Sequence, residues 1–458
     1  MIFLAMVLIV MSALLLTFMS IVCFRRRRLS AVVFFATAGY AFMAVINSEY
    51  LINKFGEDVY TQMSLIYVIG SFVLSISVQY FSEFVPKYGL SLPVWNQSDF
   101  HWHATFAFVL ALASIALIVF ARGEALLMNW SEARASSGFF VSLATSFFML
   151  ASPGIVSAFH AKRPTLGVML LLLSVGLFVV IGSRASLLVA IFLGAWLMLL
   201  KEPGRRSRSL SRFWVITIAL VVVLLVHTIL RTLRGFGIAG LLQAFNEGNL
   251  LAALFLFIMD DDVSLTGGES DMPMYLMFAI TRSSIDDFGF MTSIQRLLLL
   301  PMPSIQGWTA KPIDVTGRLW NTAFEQGLLD DEQGQAALLE AYVTGNYGSL
   351  HPTFFGEYFL AGGWMGLVMS MFLLGAVFVA IDLFMHRADR FTSLALCGPI
   401  LVGYLFVARG SSVAGLGFFV YLGAIVGLLR YAARRVKELW AAAIIANSAT
   451  PRPALVNN

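Results

Sequence analysis

The stretch "HPTFFGEYFLAGGWMG", residues 351–366, marks where a long polar segment gives way to a long apolar one. Pro352 suits the first turn of a helix, where its missing N–H costs nothing. The apolar run that follows, 353–383, is long enough to cross about 30 Å of hydrocarbon as a helix. Glu357 then stands about one turn inside a membrane span. Gly362, Gly363 and Gly366 permit close helix packing, and no chemistry is read into them.

The rest of the chain has the same character. Of its 458 residues, 59% are hydrophobic and 12% charged, with a mean hydropathy of +0.83. A soluble domain is about one quarter charged, so the chain reads as an all-α, polytopic integral membrane protein. Strand-like alternation is absent, which excludes a barrel. Eleven spans are expected, at 2–23, 29–46, 63–81, 103–121, 138–159, 165–182, 185–200, 213–230, 353–383, 392–408 and 411–429. The organisation that follows is an N-terminal membrane block, 1–230, a large extracytoplasmic loop, 231–352, a C-terminal membrane block, 353–430, and a tail, 431–458.

Charge supplies the orientation. Nothing basic precedes the first span, and Arg25–Arg28 follow it at once, which makes it a reverse anchor rather than a cleaved signal. With the N-terminus outside, 19 of the 30 basic residues fall on the inside, as the positive-inside rule requires. The segment 82–102, with Lys87 alone, is the weakest support for this count. The C-terminus is then cytoplasmic. Cys23 and Cys397 lie in expected spans without CxxC spacing, so neither a disulfide framework nor a thiolate metal site is indicated. No internal repeat of the kind found in inverted-repeat transporters is visible.

The loop 231–352 carries 14 acidic and 6 basic residues, a balance suited to solvent and not to nucleic acid. Its run "DDDVSLTGGESD", 260–271, fails as a calcium loop because Leu265 stands where the tight-turn glycine belongs. It reads as a solvated acidic loop, and no metal or cofactor is expected. The stretch "LLLLPMPSIQGWTAKP", 297–312, reads as a rigid interfacial loop, with a sugar-stacking role for Trp308 as the alternative.

The arginines say more. The chain holds 24 Arg and only 6 Lys, and several extracytoplasmic arginines sit at span ends. Arg184 caps the tight turn in "VVIGSRASLL", Arg231 and Arg234 follow a span in "HTILRTLRGFG", and Arg409 lies between two spans in "LFVARGSSVAG". A guanidinium fork at headgroup depth suits phosphate better than an ammonium does. The competing reading is a side chain that snorkels to lipid headgroups. Arg282, Arg296, Lys311 and Arg318 in the loop are further candidates of the same kind. Glu357, beside these arginines and close to His351, is a candidate general base, against the plainer reading of a carboxylate favoured by a helix N-terminus. His351 has the intrinsic pKa nearer neutrality, and Glu357 the better-defined place on a helix.

Together, "GSRASLL", "PMPSIQGWTAKP", "HPTFFGEYFLAGGWMG" and "VARGSS" resemble, in that order over about residues 165–430, the motifs of Wzy-type polymerases of bacterial O-antigen and capsule repeat units. The resemblance implies a GT-C-like glycosyltransferase of the inner membrane. It would use undecaprenyl-pyrophosphate-linked glycan as donor and acceptor, without a cofactor, and a chain-length regulator as partner. Arg184, Arg409, Arg231, Arg234, Arg282, Arg318 and Lys311 would bind pyrophosphate or glycan, with Glu357 or His351 as the base. The related O-antigen ligases, which transfer finished glycan to lipid A core, share this architecture. A lipid-linked oligosaccharide flippase is the non-enzymatic alternative, for which only His227, Asp382 and Glu357 stand within or at the end of spans.

Overall fold

A computed structural model describes residues 2–85, 92–122, 139–181, 272–282, 315–325 and 351–449, with isolated positions between 190 and 299. Every element among them is helical: α1 (Ile2–Arg25), α2 (Ala31–Ile46), α3 (Ser48–Phe55), α4 (Glu57–Glu83), α5 (Gln97–Arg122), α6 (Phe139–Ala151), α7 (Pro153–His160), α8 (Pro164–Ile181), α9 (Met272–Arg282), α10 (Val315–Glu325), α11 (Phe354–Arg387), α12 (Arg390–Arg409) and α13 (Ser412–Ala449). Among the described residues, seven helical stretches are long and apolar enough to cross a membrane, or eight if the bent pair α2–α3 is one span. Backbone groups satisfied within helices are what a hydrocarbon environment demands, and the protein is a multi-pass membrane protein. The expected spans at 185–200 and 213–230, and most of the large loop, lie outside the described residues.

Several helices differ from uninterrupted spans. The chain bends by 68° between α2 and α3. The break falls at Asn47, one of the poorer helix formers. The expected span 138–159 is two helices, α6 and α7. Pro153, at the start of α7, has no N–H to continue the ladder across the junction. The longest departure is in α11, where Gly362 and Gly363 leave helical geometry. Gly363 has φ +62° and ψ −152°, a conformation only glycine adopts without strain.

Packing confirms that the two halves of α11 do not share an axis. Phe355 lies against Gly70 of α4, while Gly375 and the Phe372 carbonyl meet Ser77 of the same helix. Residues 355 and 375 would be about 30 Å apart in a straight helix, whereas 70 and 77 are about 10 Å apart along α4. Only a bent α11 can meet both. Pro352 and every residue from Thr353 to Ala361 are buried, and Trp364 and Met365 just beyond the break are exposed. The first half of α11 is therefore a short helix enclosed by protein, and the second half is the one that reaches an apolar exterior.

α11 packs chiefly against α4 and also against α12; α1 packs on α2 and α4, α2 and α13 on α12, and α5–α7 also reach α12. Buried hydroxyls knit these helices through backbone carbonyls. Ser12 Oγ donates to Tyr67 O at 3.0 Å, Ser20 Oγ to Ala31 O at 2.9 Å, and Tyr60 Oη to Ala44 O at 3.1 Å. In the membrane such bonds supply part of the association that water would otherwise drive. Helix starts are capped in sequence. Asn96 and Asp99 exchange bonds of 2.9 and 2.8 Å at the start of α5. Asp389 accepts from Thr392 N–H at 3.1 Å at the start of α12. Arg430 of α13 ties that first turn down through Asp389 and through Thr392 Oγ1 at 2.9 Å.

Candidate functional site

Three chain segments converge where α11 begins. The first is His351–Pro352–Thr353, leading into the enclosed half-helix. The second is the end of α12, where Gly410 takes φ +88° and ψ +38°. Ser411 N–H reaches Phe406 O at 3.0 Å and Gly410 N–H reaches Val407 O at 3.0 Å. This pair is the glycine-terminated helix end that satisfies the last carbonyls. The third is the start of α13 at Ser412.

These segments touch through backbone. A Cβ on Gly410 would collide with the Thr353 carbonyl oxygen, so the two chains approach as closely as a glycine permits. Thr353 itself has φ +70° and ψ +160°. A β-branched residue there is strained by about 1–3 kcal/mol, and such strain persists only where the surroundings over-determine it. Here the surroundings are complete: Thr353 is fully buried, beside Tyr67 of α4.

Glu357 lies one turn into the half-helix and is buried. Its Oε2 accepts from Ser412 N–H at 3.0 Å and from Ser412 Oγ at 2.7 Å, and its Oε1 lies 3.3 Å from the same N–H. The carboxylate thus sits on the positive end of α13, a helix 55 residues further along the chain. Tyr358, also buried, lies beside both Glu357 and Ser412. The sequence placed Glu357 at the N-terminus of its own helix. The N-terminus it serves by hydrogen bonding is that of a neighbour.

Arg409 and His351 flank this junction. The Arg409 guanidinium lies 5.9 Å from the centre of the Phe406 ring. His351 is largely buried, and burial pushes its pKa down to about 3, with the Arg409 charge acting in the same direction. At neutral pH the site therefore holds a neutral imidazole beside a guanidinium. The arrangement can hold an anion at Arg409 and offers a carboxylate and an imidazole within the same junction.

Of the other candidates, Arg282 is the last residue of α9 and Arg318 is half-buried on α10. Both helices pack against α11, and Leu276 of α9 presses on Gly356 beside Glu357. Arg184, Arg231, Arg234, Arg296 and Lys311 lie outside the described residues, as does His227. Among the described residues no group of three or more His, Cys, Asp or Glu is placed to hold a metal ion.

Two features were not foreseen. Ser412 is not among the residues singled out by sequence, although "ARGSS" carries the signal: a helix-ending glycine followed at once by serines that can start another helix. Asp382, counted among charges that a transport path would need, accepts instead from Ser30 Oγ at 2.6 Å and from Leu29 N–H at 3.1 Å. It caps α2. Comparison with protein-family models, with curated proteins and with solved structures finds no match for the chain.

Proposed function

We propose that this protein polymerises oligosaccharide repeat units carried on undecaprenyl pyrophosphate, at the periplasmic face of a bacterial inner membrane. On this reading the N-terminus is periplasmic and the C-terminus cytoplasmic. The observation that carries it is the junction at which His351 and Glu357, on one stretch of chain, meet the end of α12 that carries Arg409. The order of the four sequence motifs described above supports it as well.

The chemistry follows from those groups. The acceptor's sugar hydroxyl attacks the anomeric carbon of the donor glycan. A new C–O bond forms as the bond to pyrophosphate breaks, and undecaprenyl pyrophosphate leaves with the electron pair. Arg409 stabilises the charge that builds on the leaving group, a task suited to a fixed guanidinium in a water-poor site. The hydroxyl proton passes to Glu357, with His351 as the neighbouring alternative acceptor. Arg184, Arg231, Arg234, Arg282, Arg318 and Lys311 are assigned to the donor's phosphates and to the glycan. No metal enters this scheme.

The surface glycan of a deletion strain tests the proposal. A single repeat unit on lipid A core is the expected result. Absence of glycan from that core would instead identify a ligase or a flippase. With purified protein and lipid-linked repeats, Glu357→Gln and His351→Ala separate the two proton acceptors, since loss of a general base costs about 10²–10⁴ in rate. Near-normal turnover by both variants would remove both from the reaction.

A further inference from the structure

We infer that Ser412 is a positioning residue that holds Glu357 at the junction with Arg409, a role that rests on the polymerase reading above. The helix that carries Glu357 does not by itself fix it. Its half-helix is only eight residues long, Phe354–Ala361, and both ends depart from helical geometry. Thr353 before it has φ +70°, and Gly362–Gly363 after it break the ladder. A helix of two turns, cut from its continuation, does not by itself set where its carboxylate stands relative to α12 and α13.

Ser412 supplies that reference. It is three residues from Arg409 and lies across the glycine turn that ends α12. Its hydroxyl and its backbone N–H both donate to Glu357 Oε2, at 2.7 and 3.0 Å. Bonds to a charged acceptor are about twice as strong as neutral ones and are directional. A carboxylate gripped from two directions by one residue has its position and its plane defined. Because Ser412 and Arg409 share a turn, the grip also fixes the spacing between the proton acceptor and the guanidinium assigned to pyrophosphate. A displacement of about 1 Å at such a group is enough to cost about 10²-fold in rate.

A serine that only stabilised the helix start would change melting and leave turnover per folded molecule intact. The two roles therefore separate in kinetics. The experiment uses the full-length protein in lipid nanodiscs with lipid-linked repeat units, comparing wild type, Ser412→Ala, Ser412→Thr, Glu357→Gln and the Ser412→Ala/Glu357→Gln pair, with melting measured alongside. Ser412→Ala should lower kcat roughly 10- to 100-fold, the effect of losing one charge-assisted bond, with KM within about twofold. Ser412→Thr, which restores a hydroxyl, should recover most of that loss. The double variant should be no slower than Glu357→Gln alone, because the two residues act as one unit. If Ser412→Ala fails to fold, Ser412→Cys, of similar size with a weaker donor, is judged by the same criteria. Wild-type kcat in the serine variant beside an inactive Glu357→Gln would overturn the positioning role while leaving Glu357 in the reaction. Normal turnover by Glu357→Gln would overturn the reading of Glu357 itself.

Discussion

Asp382 and Ser30 repeat, at the far end of α11, the arrangement that Glu357 and Ser412 make at its start. The Asp382 carboxylate accepts from Ser30 Oγ at 2.6 Å and lies 3.4 Å from Ser30 N, across 352 residues of sequence. Arg28, almost fully buried, donates to Ser82 Oγ at 2.6 Å nearby. One helix thus carries two carboxylates, each fastened to the start of a different helix.

Asp382→Ala should destabilise the protein by about 1–3 kcal/mol, because it leaves Leu29 N–H and the Ser30 hydroxyl buried without an acceptor. Asp382→Asn should recover part of that loss. Melting in detergent measures both. Turnover per folded molecule is expected to stay within about twofold of wild type, which distinguishes this end of α11 from the Glu357 end.

Gly410→Ala should cost more than about 2 kcal/mol. It places a side chain at φ +88° and drives its Cβ into the Thr353 carbonyl. Gly410→Asn tolerates the left-handed conformation better but meets the same carbonyl, so it should rescue little. Yield of folded protein and melting temperature report the result. Wild-type melting of the alanine variant would mean that the approach of the two chains is looser than described.

These residues also show what the sequence discloses and what it withholds. Apolar runs of the right length locate α1, α11 and α12 to within about four residues, and find α4, α5 and α13 while missing their polar extensions at Glu57–Thr61, at Gln97–Trp102 and beyond Arg430, since hydrocarbon thickness sets only the apolar length directly. The same criterion sees no difference between residues buried in lipid and residues buried in protein. Phe354–Ala361 is apolar enough to read as part of the span that follows it. The breaks at Asn47 and at Ser152–Pro153 were hidden for a related reason: a broken apolar helix and a whole one have the same composition. At the site, proximity of His351 to Glu357 was legible because they are neighbours in sequence. The partner that holds Glu357 lies in another helix, and no local pattern encodes a contact across 55 residues.

Arg409→Lys should lower turnover at least tenfold with an unchanged melting temperature, since lysine keeps the charge and loses the planar fork. Arg184→Lys is expected to behave alike. Turnover with purified protein, together with competition by inorganic pyrophosphate, provides the measurement. Normal polymerisation by both variants would reduce the two arginines to lipid anchors.

His351 gives the protein an acid sensitivity of defined sign. Folded, its pKa is about 3, against 6.5 for the free side chain. The unfolded chain therefore takes up the proton first, and stability is lost as pH falls from 6.5 towards 3. By pH 5 that loss reaches at most about 2 kcal/mol. His351→Gln should remove this share, so its melting temperature should fall less than that of wild type between pH 7 and pH 5. Parallel curves would show that His351 is accessible to protons in the folded state.

Orientation is open to a direct check. A reporter fused after Arg435 should work only as a cytoplasmic marker, because 201–212 and 430–437 are both strongly basic. Periplasmic phosphatase activity at that position would invert the whole topology.

The glycine break in α11 also changes how the length of that helix is to be counted. From Trp364 to Arg387 there are 24 residues, about 36 Å of helix. That is already more than the roughly 30 Å of hydrocarbon in a bilayer. The crossing is complete without residues 354–361, so bilayer thickness places no demand on them. A change in lipid composition that tilts or slides the long half need not carry the short half with it. Selection on Phe354–Ala361 can then answer to its protein neighbours alone, and an insertion or deletion within it is judged by fit against α4, α9 and α13 and not by span length.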